Sequence, residues 1–134
     1  MDMEIGKAVE ISKKITEDDV KKFVEISGDD NPIHLDEEFA KRTIYRGRIA
    51  HGLLSLGVVS AALTKLFGPG NIWLNQIFTF TKPIHVGDTL TAKLKIISID
   101  KRKVCTVETL VYNQNGELVL DGKAESKVAY IKKK

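Results

Sequence analysis

An α+β domain, in which several long antiparallel strands cover one hydrophobic helix, is the fold class this sequence predicts. Three observations predict it. From residue 72 onward the chain reads almost entirely as strands, with apolar and polar residues alternating. One stretch, Ala50 to Leu66, is small or apolar on nearly every side, the pattern of a helix buried all round. The chain has 134 residues with no internal repeat, low-complexity region or linker, so a single domain over 1–134 is expected, large enough to bury a real core.

Each element has its own signal. Ala8 to Ile15 alternates and predicts a first strand. Thr16 then reads as a helix N-cap, followed by Glu17, Asp18 and Asp19, whose charges suit the positive end of the helix dipole. Val20, Phe23, Val24 and Ser27 share one face of that helix, and Gly28 stops it. Asp29-Asp30-Asn31-Pro32-Ile33-His34 reads as a turn, with Pro32 pushing Asn31 out of the helical region. Asp36 caps a short helix from Glu37 to Arg42, and Thr43 to Ile49 is a loop centred on Gly47. After the hydrophobic helix, Gly68-Pro69-Gly70 is a decisive stop. Strands are predicted over Ile72–Phe80, around Leu90–Ile96, over Val104–Tyr112 and over Leu118–Ile131, with turns at Val86-Gly87-Asp88 and Asn113-Gln114-Asn115-Gly116. In the last strand Leu120, Ala124, Val128 and Tyr130 point one way, and Asp121, Lys123, Glu125 and Lys127 the other.

Composition narrows the function. Apolar residues at 43% and charged residues at 29% are those of an ordinary globular protein. A net charge of +3, partly from the tail Lys132-Lys133-Lys134, is too small to argue for nucleic acid. The single cysteine, Cys105, excludes an internal disulfide. The apolar run from Ile49 to Phe67 contains His51, Lys65 and two glycines, which favours a core helix over a membrane span. The acidic start Met1-Asp2-Met3-Glu4 reads as neither a secretory signal nor a transit peptide, so a cytoplasmic location is expected.

Two clusters could carry chemistry. In Gly28-Asp29-Asp30-Asn31-Pro32-Ile33-His34, Asp29 and His34 are five residues apart. Fully extended that is about 17 Å, but the glycine and proline bend the segment and allow the side chains to converge. A carboxylate and an imidazole sharing one water can abstract and return protons near neutral pH. The plainer alternative is a capped surface loop. In Gly47-Arg48-Ile49-Ala50-His51-Gly52, the unpaired amides that open a helix form an anion site made of backbone, and glycine lets a ligand approach it. The plainer alternative makes Gly52 a packing residue and His51 a satisfied buried histidine. Ser60 lies eight residues past Gly52, on roughly the same side of the helix, with no nucleophile motif around it. His34, His51 and His85 lack a metal-ligand spacing, and there is no phosphate-cradling or dinucleotide loop. Lys101-Arg102-Lys103 reads as a wet turn.

Taken together, Gly-Asp-x-Asn-Pro-Ile-His-x-Asp (28–36) followed by Gly-Arg-Ile-Ala-His-Gly (47–52) resembles the MaoC-like dehydratases, and more narrowly their (R)-specific enoyl-CoA hydratases. Phe80-Thr81-Lys82-Pro83-Ile84 with Val86-Gly87-Asp88 extends the resemblance over nearly the whole chain. The resemblance implies a hot-dog fold, a long antiparallel sheet wrapped around a central helix, and a homodimer joined edge to edge. It implies reversible hydration of a trans-2-enoyl thioester on coenzyme A or acyl carrier protein, without cofactor or metal. It places the catalytic roles on Asp29 and His34 and the carbonyl-holding N–H on Gly52. Loop support falls to Asn31, and Ser60 would lie beside the reacting water. The same fold also hosts thioesterases and non-catalytic acyl-thioester binding subunits, which are the competing expectations.

Overall fold

The computed structural model describes residues 3–130 and 132. The described elements run β1 (Ala8–Lys14), α1 (Glu17–Ser27), α2 (Pro32–Leu35), α3 (Glu37–Lys41), α4 (Leu53–Phe67), β2 (Asn71–Phe80), β3 (Thr89–Ile99), β4 (Cys105–Tyr112) and β5 (Leu118–Val128). The strands form one five-stranded sheet in the order β1-β3-β4-β5-β2, antiparallel throughout. The predicted α+β layout, a sheet curled around one helix, is therefore the one observed.

The core forms where α4 lies against the sheet. Val59, Ala62, Leu63, Leu66 and Phe67 of the helix meet Leu90, Ala92, Leu94 and Ile96 of β3 and Val107, Val111, Leu120 and Ala124 of β4 and β5. The period-2 pattern of β3 puts these four apolar residues inward and leaves Lys93 and Lys95 exposed. Cys105 belongs to the same core, and its burial, with Asp100 nearby, pushes the thiol pKa up.

Several expectations are corrected. The hydrophobic helix begins at Leu53, not Ala50, because Ala50 N–H is bound 2.6 Å from Ile84 O and Ile49 forms a β-bridge with His85. Nor is α4 buried all round: Leu53, at 52% exposure, opens a face continued by Gly57, Ser60, Ala61 and Thr64. Its outer residues are small, which is why the sequence hides the asymmetry. The segment Pro32–Leu35 is one turn of helix, with Pro32 at its first position, where a missing N–H costs nothing. Val128 and Tyr130, predicted to face inward from the last strand, are exposed, because β5 ends at Val128, where its pairing with β2 stops. The Ile131 end predicted for that strand lies outside the described residues. No helix among the described residues is long and apolar enough to cross a membrane.

The chain between β1 and α4 forms a second layer of short helices. Arg48 ties the parts of that layer together. Its guanidinium grips the Glu17 carboxylate of α1 with two nitrogens, one of them 2.6 Å from Glu17 Oε1, and reaches Glu37 of α3 at 3.3 Å. The hydrogen bonds from Arg48 hold the Glu17 carboxyl below its ordinary pKa.

Candidate active site

The site is built from the two sequence clusters, and local chemistry explains how they meet. Helix α1 ends at Gly28, whose φ of 76° is a left-handed conformation that glycine adopts freely. The chain therefore reverses at Asp29. The Asp29 carboxylate accepts from Asn31 N–H at 3.3 Å, and the Asn31 side chain accepts from Ile33 N–H at 3.1 Å, capping α2. Asn31 thus shapes the loop. The single turn of α2 then rotates His34 inward, where it is buried.

His34 is held by the second cluster. Its Nδ1 lies 2.6 Å from Ile49 O, and Ile49 N–H in turn donates to Ile33 O at 3.3 Å. A carbonyl oxygen only accepts, so His34 Nδ1 carries a proton, and in the neutral ring the lone pair is on Nε2. One backbone contact therefore selects the tautomer that can act as a base at Nε2.

His51 completes the cluster. Its Nε2 lies 3.0 Å from the Asp29 carbonyl oxygen and 3.9 Å from the Asp29 carboxylate. Its ring packs at a tilt against His34, with 3.7 Å between centroids and 33° between planes, and against Phe23, with 4.6 Å and 48°. One ligand-type atom from each of Asp29, His34 and His51 lies within 4.8 Å of the others. Such a trio is also a donor set a divalent cation could use, which the sequence spacing does not suggest. Asp29 keeps 53% of its side chain exposed, so its carboxylate is open to a ligand.

Gly52 stands at the start of α4, which has no side-chain cap and no acidic residue in its first turn. Leu54 N–H donates to His51 O and Ser55 N–H to Gly52 O, leaving the Gly52 N–H with no acceptor among the described residues. A Cβ at this position would lie 2.9 Å from the Phe80 ring. His34 and Gly52 line one cavity of about 340 Å³ with Tyr45, Phe80, Thr81 and Lys82. A larger, apolar groove of about 400 Å³ between α1 and α4 contains none of Asp29, His34 or Gly52. Its size does not make it the reaction site, because the reactive groups converge elsewhere.

The structure brings Asp29 to His34, with Asn31 shaping the loop between them, and puts His34 and Gly52 on one cavity whose lining includes neither Asp29 nor Asn31. Ser60 is exposed on α4 and does not line the cavity holding His34 and Gly52. Sequence reasoning missed Phe23, the Ile49 carbonyl and the contact of His51 with both reactive groups. His51 departs from the satisfied histidine that was the plainer alternative, since its Nδ1 is buried without a partner among the described residues. Its place just before Gly52, beside the helix opening, was the one signal available.

Comparison with known proteins agrees with this fold. The MaoC like domain family matches residues 2–116. A 3-hydroxybutyryl-CoA dehydratase of Methylorubrum extorquens is 40% identical over 128 residues, covering 95% of this chain and 82% of that one. An (R)-specific enoyl-CoA hydratase of Rhodospirillum rubrum is 37% identical, covering 92% of this chain and 86% of that one. Among solved structures, an (R)-hydratase from Aeromonas caviae superposes with a TM-score of 0.90 at 34% identity, covering 95% of this chain and 98% of that one.

Proposed function

The chain belongs to the MaoC-like domain family, and from that premise we propose that it catalyses the (R)-specific hydration of trans-2-enoyl-CoA and the reverse dehydration. The observation that carries this reading is the His34 tautomer. Its Nδ1–H is committed to Ile49 O, which leaves Nε2 as the nitrogen free to act as a base, and the ring lies with a ligand-type atom within 4.8 Å of one on Asp29.

In this mechanism a water held between Asp29 and His34 loses a proton to His34 Nε2 as its oxygen bonds to C3 of the enoyl thioester. The C2–C3 π electrons move toward the thioester, whose oxygen gains negative charge and takes the Gly52 N–H. A positioned donor is most effective where charge develops in the transition state. A proton returns from the same pair to C2 on the same face, so addition is syn and one water is consumed. Microscopic reversal gives the dehydration.

We further read the protein as a homodimer joined through β2. This edge strand exposes Ile72, Leu74 and Ile77, the last at 73%. An uncovered apolar edge invites pairing with a second copy. Light scattering tests this reading: a dimer mass for the wild type and a monomer mass for Ile77→Lys would support it, and a monomeric wild type would refute it.

The test of function is the loss of enoyl absorbance with crotonyl-CoA, followed by chiral analysis of the product. Rapid loss giving (R)-3-hydroxybutyryl-CoA is expected. Release of free coenzyme A thiol without loss of the enoyl group would make the protein a thioesterase instead. The carrier is decided by running the same assay on the acyl carrier protein thioester.

A further inference from the structure

We propose that His51 is a positioning residue for the reaction, the ring that sets the separation of Asp29 and His34 and keeps the His34 lone pair aimed into the cavity. The proposal deepens the hydratase reading and rests on it.

His51 is 3% exposed and sits between Phe23 and His34, with ring centroids 4.6 and 3.7 Å away. Its Nε2 donates to the Asp29 carbonyl at 3.0 Å, which requires the proton on that nitrogen and leaves Nδ1 as an acceptor. That Nδ1 is buried with no partner among the described residues. An unpaired buried polar atom costs about 1–3 kcal/mol. A phenylalanine would fill the same space without that cost, so packing alone does not account for a histidine here.

The two contacts together do what packing cannot. The N–H pins the Asp29 backbone while leaving its carboxylate free, and the ring face fixes the plane of His34. Displacing reacting groups by as little as 1 Å lowers rates by roughly a hundredfold, which sets the scale of the expected effect.

Two variants separate the contacts. His51→Phe keeps the stacked ring and removes the N–H; His51→Gln keeps an N–H of similar reach and removes the ring. Each is expected to lower kcat on crotonyl-CoA by about ten- to a hundredfold while changing KM by less than about threefold. The urea midpoint of His51→Phe should be no lower than that of the wild type. Nitrogen-15 spectra of the histidine side chains, recorded without substrate, supply a second readout. In the wild type His34 should be the Nδ1–H tautomer, and in the variants, where the ring is free to turn away from Ile49 O, it should become a mixture.

Wild-type kcat in His51→Phe with an unchanged His34 tautomer would overturn the proposal. So would a loss of kcat that only follows the folded fraction. An inactive wild type whose His34 tautomer still depends on His51 would leave the positioning intact and remove the hydratase reading, so the two failures are distinguishable.

Discussion

At the start of α1, Thr16 Oγ1 accepts from Asp19 N–H at 3.1 Å and the Asp19 carboxylate accepts from Thr16 N–H at 2.8 Å, a complete capping box. Three acidic residues fill its first turn. At the start of α4 there is no side-chain cap, no acid, and a glycine whose N–H has no acceptor among the described residues. Both helices carry the same backbone polarity at this end. In α1 the chain answers it internally, and in α4 it leaves the end open on a cavity. The difference teaches that an unsatisfied helix terminus here is a feature of the site, and that the cost in stability is met by the deep apolar packing of α4.

That contrast can be broken first at the site. Asp29→Asn and His34→Ala should each lower kcat on crotonyl-CoA by about 10²–10⁴-fold, the usual worth of a positioned acid or base, with unchanged circular dichroism. Near-normal turnover in either variant would remove the pair from the mechanism. Gly52→Ala comes next. Its Cβ would meet the Phe80 ring at 2.9 Å, and the ring can swing only into the cavity mouth or away from it. We expect kcat/KM to fall about ten- to a hundredfold with little change in Tm, because the obstruction is at the ligand and not in the core. Full activity in Gly52→Ala would show that the helix opening is not used.

At α1 the signs reverse. Thr16→Ala should lower unfolding free energy by about 1 kcal/mol, the usual loss for a cap, and leave kcat unchanged. An activity loss without a stability loss would break the division between the two helix ends. The smallest effect is expected for Arg48→Met, measured by urea unfolding across pH. The Glu17 carboxyl is held below its ordinary value of 4.5 by the Arg48 hydrogen bonds, so the native state favours its ionised form. That contribution is present above pH 4.5 and is lost as pH falls through the lowered folded value. The gap between wild type and Arg48→Met should therefore be widest near neutrality and close in acid. With the Glu17 side chain 47% exposed, the pair should be worth about 1 kcal/mol or less. A gap independent of pH would assign the effect to packing.

The sequence disclosed what local chemistry determines. Thr16, the acidic turn after it and Gly28 marked α1 at both ends, and the alternation in β3 marked its inner face, because capping and period-2 burial depend on neighbours in the chain. The boundary of α4 was misread at Ala50, since the partner that withdraws Ala50 from the helix is Ile84, more than thirty residues away. Asp29 and His34 stood out by residue type and bend. Their meeting with His51 did not, because stacked rings and a carbonyl contact have no signature in spacing. The exposed outer face of α4 was hidden for a related reason: Gly57 and Ala61 look the same in sequence whether a neighbour covers them or not.

One contact has a wider consequence. His34 is oriented by the carbonyl of Ile49, not by its side chain. Every amino acid offers that oxygen, so the position can accept many substitutions while the reacting nitrogen keeps its aim. What must be inherited is the path of the loop, fixed by Ile49 N–H on Ile33 O and by Ala50 N–H on Ile84 O. A determinant of this kind is carried in backbone shape, and it would pass unmarked in any search for invariant letters.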